Sequence, residues 1–134
     1  MVCVQCGQKT QIINSRSQLR VNQVWRRRKC LKCGSIFSTH EGADYAAIWA
    51  VKNAKGQLSP FLRDKLFLSL LRSCQHRASA VADAGALADT IIKKLLTQAK
   101  NGSIDSLQIV QTAQVALNRF DTVASVHYAA FHKS

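Results

Sequence analysis

Hydrophobic positions are distributed unevenly along this chain of 134 residues and divide it into two parts. Residues 1–41 are polar and basic, whereas the chain from Ala46 onward is rich in alanine, leucine, isoleucine and valine. A module of about 40 residues rarely buries enough apolar surface to fold without disulfides or a metal. The pattern therefore predicts a small first domain, residues 1–42, that needs such a cross-link, and a second domain, residues 46–134, with an ordinary core.

The spacing of apolar residues in the second part predicts four helices, because positions three or four apart share one face of a helix. Ser59 followed by Pro60 is a favourable helix start, with serine as the N-cap and proline at the first helical position. The first helix is therefore expected to begin there. Its expected inward residues are Leu66, Phe67, Leu70, Leu71 and Cys74.

The other three helices follow from the same periodicity. The second is predicted over Ala80–Ala99, since Asn101-Gly102 is a helix-ending pair. The third is expected to begin within Ser103–Ser106, and the last lies around Thr122–Phe131. The expected inward residues are Leu87, Ile91 and Leu95 in the second helix, Ile109, Val110, Ala113 and Leu117 in the third, and Val123, Val126 and Ala130 in the last.

A short β-hairpin is predicted ahead of these helices. Ala47–Val51 is predicted as a strand, and Asn53–Gly56 has asparagine and glycine at the positions that suit a type I turn with a bulge. The fold class predicted for the whole chain is therefore α+β, with a small β module followed by a short hairpin packed on about four helices.

A β-hairpin is also predicted in the first part of the chain. Ile12 and Ile13 lie in one candidate strand and Val21–Trp25 in the other, with the bend near Asn14–Ser17. Such a hairpin would span the gap between the two cysteine pairs of this part.

The two cysteine pairs are the strongest chemical signal in the sequence. Cys3 and Cys6 form one Cys-x-x-Cys knuckle, and Cys30 and Cys33 form the other. Four thiolates in two tight knuckles are the ligand set of a structural, tetrahedral zinc ion, so the pattern favours a zinc ribbon with one Zn²⁺ per chain. A rubredoxin-like iron site and a redox-active dithiol are the alternatives.

The chain is strongly basic, with a formal net charge of +12. Residues 1–41 contain eight lysines or arginines and one acidic residue. Such a surplus favours a polyanionic partner, with nucleic acid ahead of an anionic membrane. No stretch approaches the roughly 20 apolar residues of a membrane span, and an odd number of cysteines in two knuckles favours reduced thiols in a cytoplasm.

A run of four basic residues, Arg26, Arg27, Arg28 and Lys29, leads directly into the second knuckle, which would hold it on a rigid platform. Charge runs are often only solvated surface, and alternate side chains of a strand face opposite ways, so about half of the run can meet one phosphate backbone. Arginine forms bidentate bonds to phosphate or guanine. We therefore expect nucleic-acid binding here, with Arg16 and Arg20 across the hairpin widening the footprint.

Other residues give weaker signals. Trp25 offers a flat ring that would either stack on a base or shield a small core, and Trp49 is expected in the core of the second part. Lys52, Lys55 and Lys65 are either a phosphate-binding cluster or solvated lysines. No open metal position and no paired acid and base are recognisable, so an enzyme is not expected.

Three groups of motifs occur in a fixed order along the chain. Those of the first part are Cys3-x-x-Cys6, Ser15-Arg16, the stretch from Trp25 to Gly34, and Phe37–Glu41. Those of the second part are Val51-Lys52, Gly56, Pro60-Phe61, Arg63–Leu66, Leu70-x-x-x-Cys74-x-x-Arg77 and finally Phe120–Phe131. In this order, and in a chain of this length, they resemble the bacterial NrdR-type repressors of ribonucleotide reductase genes over nearly the full length.

The resemblance implies a zinc ribbon that binds double-stranded operator DNA upstream of ribonucleotide reductase genes, joined to an ATP-cone that binds ATP or dATP. The nucleotide would change the state of a homo-oligomer, and with it the affinity for DNA. The resemblance also implies a bacterial, cytoplasmic, nucleoid-associated protein with no membrane partner. The nucleotide-binding residues that it implies are Val51, Lys52, Lys55 and Lys65.

The chain departs from the family pattern at several positions. Val4 stands where family members usually have proline, and Lys52–Gly56 is one residue longer than the usual Lys-Arg-Asp-Gly turn and lacks its arginine. Ser59 and Leu62 replace the acidic residues on either side of the Pro-Phe pair. These departures motivate an alternative function, a nucleic-acid-binding zinc ribbon protein whose cone-like domain serves only oligomerisation.

Overall fold

The computed structural model describes residues 1–132, which form two compact units, the first over Met1–Ala43 and the second from Asp44 onward. The boundary lies where the apolar content of the sequence rises. Among the described residues, no helix has the length and apolar character needed to span a bilayer.

A three-stranded antiparallel sheet makes up most of the first unit. Its strands are β1 over Thr10–Gln18, β2 over Gln23–Cys30 and β3 over Ile36–Glu41, in the order β1-β2-β3. The predicted hairpin is present, and β3, which the sequence did not reveal, completes the sheet. In β3 the half-buried Phe37 and Thr39 alternate with exposed neighbours, which is the pattern of a strand with one covered face.

The bend of this hairpin lies at residues 19–22, so its predicted position at Asn14–Ser17 is wrong. Those residues continue β1, where Ser15 pairs with Arg26. The turn uses Asn22, whose φ of 52° is a left-handed conformation that asparagine tolerates better than most residues. The error arose because the polar residues of an exposed strand have the composition of a turn.

The second unit contains a small sheet in the order β5-β4-β6, with β4 over Ala50–Lys52, β5 over Leu58–Pro60 and β6 over Ser103–Asp105. β4 is antiparallel to β5 and parallel to β6, and the parallel pair was not predicted. The predicted turn between β4 and β5 is present. In it, the Gly56 N–H donates to the Asn53 carbonyl at 3.0 Å.

Two predicted element starts in this unit are wrong. The strand predicted over Ala47–Val51 begins only at Ala50, because Tyr45–Ile48 forms a short helix, α1. The helix predicted from Ser59-Pro60 begins at Arg63, and the two residues instead end β5. Proline is tolerated there because β5 is an edge strand, where a missing N–H leaves no ladder bond unmade.

Four longer helices complete the second unit: α2 over Arg63–Ser73, α3 over Ala80–Leu95, α4 over Ser106–Phe120 and α5 over Thr122–Phe131. The inward positions predicted for α2, α3 and α4 are buried or half-buried, and they form one core with Trp49, as expected for that residue. α3 ends four residues earlier than predicted. The α+β class predicted from the sequence is confirmed, with a small β unit followed by a largely helical unit.

The predicted inward face of α5 is wrong. The residues expected to be buried are exposed, namely Val123, Val126 and Ala130. The helix instead buries Ala124, Ser125 and Tyr128. Asp121 sets this rotation, because its carboxylate accepts the Ala124 N–H at 3.1 Å and also binds the Arg77 guanidinium at 2.8 Å.

We expect Asp121→Asn to lower thermal stability at neutral pH. The Ala124 backbone N–H, followed by the side chains of His76 and Arg77, holds the pKa of the Asp121 carboxyl well below its usual range. A lowered folded-state pKa contributes stability above the unfolded-state pKa of about 3.9, and this contribution is lost as the pH falls through the folded-state value. Melting temperatures of wild type and variant should therefore differ at neutral pH and converge in acid. A difference that stays constant with pH would contradict the assignment, and Asp64→Asn at the exposed start of α2 is the control.

Candidate metal centre and nucleic-acid interface

The four predicted metal ligands come together in the first unit. Their Sγ atoms all lie within 4.8 Å of one another. The Cys3 and Cys33 sulfurs are 3.7 Å apart, and the Cys6 and Cys30 sulfurs are 3.4 Å apart. A tetrahedral zinc ion with Zn–S bonds of about 2.3 Å separates its sulfurs by about 3.8 Å, so shifts of about 1 Å or less would accommodate the ion.

Tight loops of backbone position the sulfurs. The N–H groups of Lys32 and Cys33 both point at the Cys30 sulfur, each at 3.4 Å. Gly7 and Gly34 follow the second cysteine of each knuckle with φ values of 75° and 76°, which glycine adopts without strain. The two knuckles therefore have the same local geometry, and each turns the chain back towards its thiols.

The electrostatics of the cluster also favour a bound cation. The Ser35 hydroxyl lowers the pKa of the Cys33 thiol to about 6, and the Cys33 N–H lowers the pKa of Cys30. The Gln8 N–H lowers the pKa of Cys6, but bonds to the other thiols, first Cys30, outweigh it and raise the pKa of Cys6 to about 12. Thiolates this close repel one another, so all four ionise together only with a compensating cation.

The register of the sheet divides the predicted nucleic-acid-binding residues between its two faces. Residues paired across strands share a face, and alternate residues along a strand face opposite ways. Trp25 on β2 pairs with Arg16 on β1 and with His40 on β3. Arg27 and Lys29 lie two and four residues further along β2 and share its face. We call the surface formed by these five residues the Trp25 face.

The Trp25 face is basic and open to solvent. Arg16, Arg27, Lys29 and His40 are exposed, and Trp25 is half-buried. The Arg16 guanidinium lies 5.8 Å from the centroid of the Trp25 ring, within cation–π distance. Within residues 1–132, no carboxylate forms an ion pair with Arg16, Arg27 or Lys29. Their positive charge is therefore available to an external anion.

Arg26 and Arg28 lie on the opposite face and have partners within the sheet. Arg26 donates to the Ser15 hydroxyl at 3.2 Å and lies 3.6 Å from a Glu41 carboxylate oxygen, with 28% of its side chain exposed. Arg28 donates to the Thr10 hydroxyl at 3.5 Å. Its Nε is buried and, among the described residues, has no hydrogen-bond partner. The structure thus separates these two arginines from Arg16, Arg27 and Lys29.

A cavity of about 190 Å³ lies within the second unit. Of the four predicted nucleotide-binding residues, Val51 and Lys65 line this cavity. Lys52 and Lys55 do not line it, and both are exposed on β4 and the turn that follows. The structure therefore brings together two of the four predicted residues around one cavity.

Two aromatic residues of α5 and its C-terminal end were not predicted to belong to this site. Tyr128 lines the cavity and is almost completely buried, and this burial raises its pKa to about 12 against the opposing effect of a bond to Ser69. His132 also lines the cavity and stacks on Tyr128, with ring centroids 4.0 Å apart. Their spacing of four residues at the end of the last helix was the available signal.

Comparison with known proteins identifies relatives for the whole chain. Residues 1–41 match a zinc-ribbon family model described as the N-terminal domain of NrdR-like transcriptional repressors. Over 133 residues the chain is 32% identical to the transcriptional repressor NrdR of Symbiobacterium thermophilum, covering 99% of this chain and 87% of the relative. The chain belongs to the NrdR family.

Other NrdR repressors match over the same span. The repressor of Pelotomaculum thermopropionicum is 31% identical over 134 residues, covering 99% of this chain and 80% of the relative. The repressor of Streptococcus sanguinis is 30% identical over 135 residues, covering 100% of this chain and 85% of the relative. These relatives are named for a non-enzymatic role, so the prediction that the chain is not an enzyme is confirmed. The resemblance to NrdR-type repressors that the sequence motifs indicated is confirmed as well.

The NrdR match also decides between the metal alternatives. A zinc-ribbon model covers all four cysteines, and their sulfurs fit a tetrahedral ion, so the findings support zinc over an iron site or a redox dithiol. In this NrdR ribbon, His40 was not predicted to lie beside Trp25, because that placement depends on the pairing of β2 with β3, which the sequence does not show.

Proposed function

We propose that this NrdR-family protein is a zinc-dependent repressor of ribonucleotide reductase genes, and that ATP or dATP regulates its binding to operator DNA. The observation that carries the proposal is the Trp25 face, where exposed cations, which have no ion-pair partner among residues 1–132, lie on a sheet anchored by four cysteines. In this proposal residues 1–42 are the DNA-binding domain and residues 46–134 are an ATP-cone.

In this proposal DNA binding depends on Arg16, Arg26, Arg27, Arg28 and Lys29, either through direct contact or by holding the sheet that presents the contacts. Zinc bound to the cysteines supplies structure, since it ties the end of β2 to the N-terminal knuckle. Guanidinium groups bind phosphate or guanine through two parallel hydrogen bonds. Each neutralised phosphate releases condensed counterions, so affinity should fall steeply as the salt concentration rises.

The cavity of the second unit supports the nucleotide part of the proposal. Its volume of about 190 Å³ is below the roughly 300 Å³ of pockets that enclose whole ligands, so it fits a base with the phosphates outside. Val51 lies against this base, and Lys65 at the cavity meets a phosphate. Lys52 and Lys55 follow Val51 along the chain and supply further positive charge.

Regulation requires that nucleotide and DNA bias one shared equilibrium. We propose that bound nucleotide changes the assembly state of a homo-oligomer in the bacterial cytoplasm, at the nucleoid. An oligomer that places two ribbons on neighbouring half-sites gains affinity through effective concentration, which a single short β module lacks.

The DNA part is tested with the full-length zinc-loaded protein and two duplexes of equal length and composition. One comes from upstream of ribonucleotide reductase genes and the other has the same bases in scrambled order. We expect the upstream duplex to bind about 1,000-fold more tightly, as specific sites do relative to non-specific ones, and its affinity to depend strongly on salt. Equal affinity for both duplexes in a fluorescence anisotropy titration would remove the assignment to these genes.

The nucleotide part is tested by calorimetry with ATP and dATP. We expect Lys65→Ala to weaken binding about tenfold, because a charge-assisted hydrogen bond contributes on the order of 1.5 kcal/mol or more. Lys93→Ala, an exposed lysine of α3 outside the cavity, should bind like wild type. Equal loss in both variants would show that Lys65 has no particular part in the site.

The same titration decides the alternative function, in which the second unit serves only oligomerisation. That alternative is favoured by the positions of Lys52 and Lys55 away from the cavity lining. It predicts no heat on addition of either nucleotide, together with intact DNA binding. Saturable binding with one nucleotide per chain would exclude it.

A further inference from the structure

We propose that the Trp25 face is the surface that meets duplex DNA, that Trp25 itself contacts base edges in the major groove, and that Arg26 and Arg28 act from behind as positioning residues. The inference rests on the proposed function, because it assigns the recognition surface of the same DNA complex. It divides the predicted DNA-binding residues into two groups with different roles.

Part of the sheet fits the major groove. Neighbouring strands are about 4.8 Å apart, and the major groove of B-DNA, about 12 Å wide, admits a two-stranded β-ribbon, so β2 can enter it together with one neighbouring strand. β2 is the central strand, with Arg16 and His40 on either side of Trp25. The indole therefore lies opposite the groove floor, where a thymine methyl offers an apolar contact, while the flanking side chains lie towards the phosphates.

The spacing along β2 fits the backbone of the duplex. Trp25, Arg27 and Lys29 follow one another on one face at intervals of about 6.6 Å, the length of two strand residues. Two base-pair steps of B-DNA advance by about 6.8 Å. If β2 runs out of the groove beyond the indole, the two cations that follow Trp25 can each approach a phosphate without a change in the register of the strand.

Arg26 and Arg28 lack the freedom to do the same. Arg26 is bound to Ser15 on β1 and close to Glu41 on β3, so it connects both outer strands to the central one. Arg28 has a buried Nε and a bond to Thr10, so its guanidinium cannot present a complete donor edge to a phosphate. Their contacts hold the three strands together and thereby position the opposite face.

Trp25 is not explained by packing alone. It is half-buried and belongs to a unit whose buried apolar residues, within Met1–Ala43, are Cys3 and Cys30. The Arg16 guanidinium near its ring adds positive charge beside an apolar surface, which suits a duplex groove lined by phosphates. An indole in this position supplies base discrimination, whereas the cations around it supply affinity.

The test uses full-length zinc-loaded protein and the duplex that wild type selects from a random-sequence pool. A scrambled duplex of the same composition and the isolated strands of the selected duplex serve as comparison probes. We expect Trp25→Ala to weaken binding to the selected duplex about tenfold or more, as loss of one good base contact does, and to change scrambled-duplex binding less. Arg27→Ala with Lys29→Ala should weaken binding to both duplexes alike. It should also reduce the slope of log affinity against log salt concentration by about two.

Arg26→Lys with Arg28→Lys tests the second group of residues, because it keeps the charge and removes the fork geometry. We expect a lower melting temperature with DNA affinity within about twofold of wild type once zinc content is equal. If Trp25→Ala fails to fold, Trp25→Phe keeps the ring, and quenching of wild-type tryptophan fluorescence by the selected duplex, absent in Trp25→Phe, reports the contact directly.

The outcomes separate this inference from the proposed function. If no duplex is selected from the pool, the proposed function and this inference both fail. If a duplex is selected but its affinity depends on Arg26 and Arg28 and is unchanged in Trp25→Ala, only the assignment of the face fails. Tighter binding to the isolated strands than to the duplex, with loss in Trp25→Ala, would overturn the duplex assignment in favour of base stacking on single strands.

Discussion

Cys30→Ser in the full-length protein unfolds the first unit and leaves the second unit folded; this is the largest effect that we expect. The Cys30 side chain is 1% exposed and accepts two backbone N–H groups, so it is the most enclosed ligand of the cluster. Structural zinc sites contribute about 10–16 kcal/mol of apparent binding free energy, which in a module of this size is folding free energy. The sheet has little else to stabilise it.

Two measurements check this result. Metal analysis should give one zinc per wild-type chain and none in the variant, and circular dichroism should lose strand signal while the helical melting transition stays in place. Cys74→Ala is the control, since Cys74 is a buried cysteine of the other unit. It should keep its zinc and lose stability only in the helical transition. A Cys30→Ser protein with an intact sheet would contradict the metal assignment.

Leu70→Ala is expected to destabilise the second unit by about 2–5 kcal/mol, as removal of a fully buried leucine does when it leaves a cavity. Leu70 is 0% exposed and lies on α2 within the core shared by the helices. Its matched control is Leu68→Ala on the same helix, at a position that is 60% exposed, and there the change should be within about 0.5 kcal/mol.

The stabilities of the Leu70→Ala and Leu68→Ala variants are measured by urea unfolding, with tryptophan fluorescence as the signal. Trp49 is buried in the same core, so its emission reports on the second unit, and Trp25 reports on the first. The transition of the first unit should not move in either variant, because Leu70 belongs to the core of the second unit. Equal destabilisation by Leu70→Ala and Leu68→Ala would show that the burial assigned to α2 is wrong.

Local signals in the sequence predicted the features that depend on local spacing. The four cysteines and the helices α2 to α4 were placed because ligand spacing and helical periodicity are properties of neighbouring residues. The strand β6 was missed because its partner β4 lies about 50 residues earlier in the chain, and no local pattern encodes such a parallel pair. The bend at Asn14–Ser17 was misplaced because solvent-exposed strands and turns share polar composition.

The rotation of α5 is likewise not encoded by local sequence signals. Its exposed Val123 and Val126 look like core positions in the sequence. The ion pair of Asp121 with Arg77, 44 residues away, turns the helix so that Tyr128 faces the core instead. A helix with apolar residues on several sides carries no periodic signal strong enough to fix its orientation.

The candidate sites also differ in how far the sequence alone predicts them. The four-cysteine cluster follows from sequence alone, whereas the separation of Arg27 and Lys29 from Arg26 and Arg28 requires the register of three strands. The cavity near Lys65 draws on β4, α2, α4 and α5 together, so only part of its lining was predictable. Tertiary arrangement, rather than residue type, decides which predicted cations can share a ligand.

The central claim is that a zinc-held sheet presents cations to DNA, and one titration tests it most directly. The full-length protein is stripped of metal with a chelator and titrated against its selected duplex by fluorescence anisotropy, before and after one equivalent of Zn²⁺ is restored. We predict that binding disappears on removal of the metal and returns with zinc. Unchanged affinity in the metal-free protein would contradict the account.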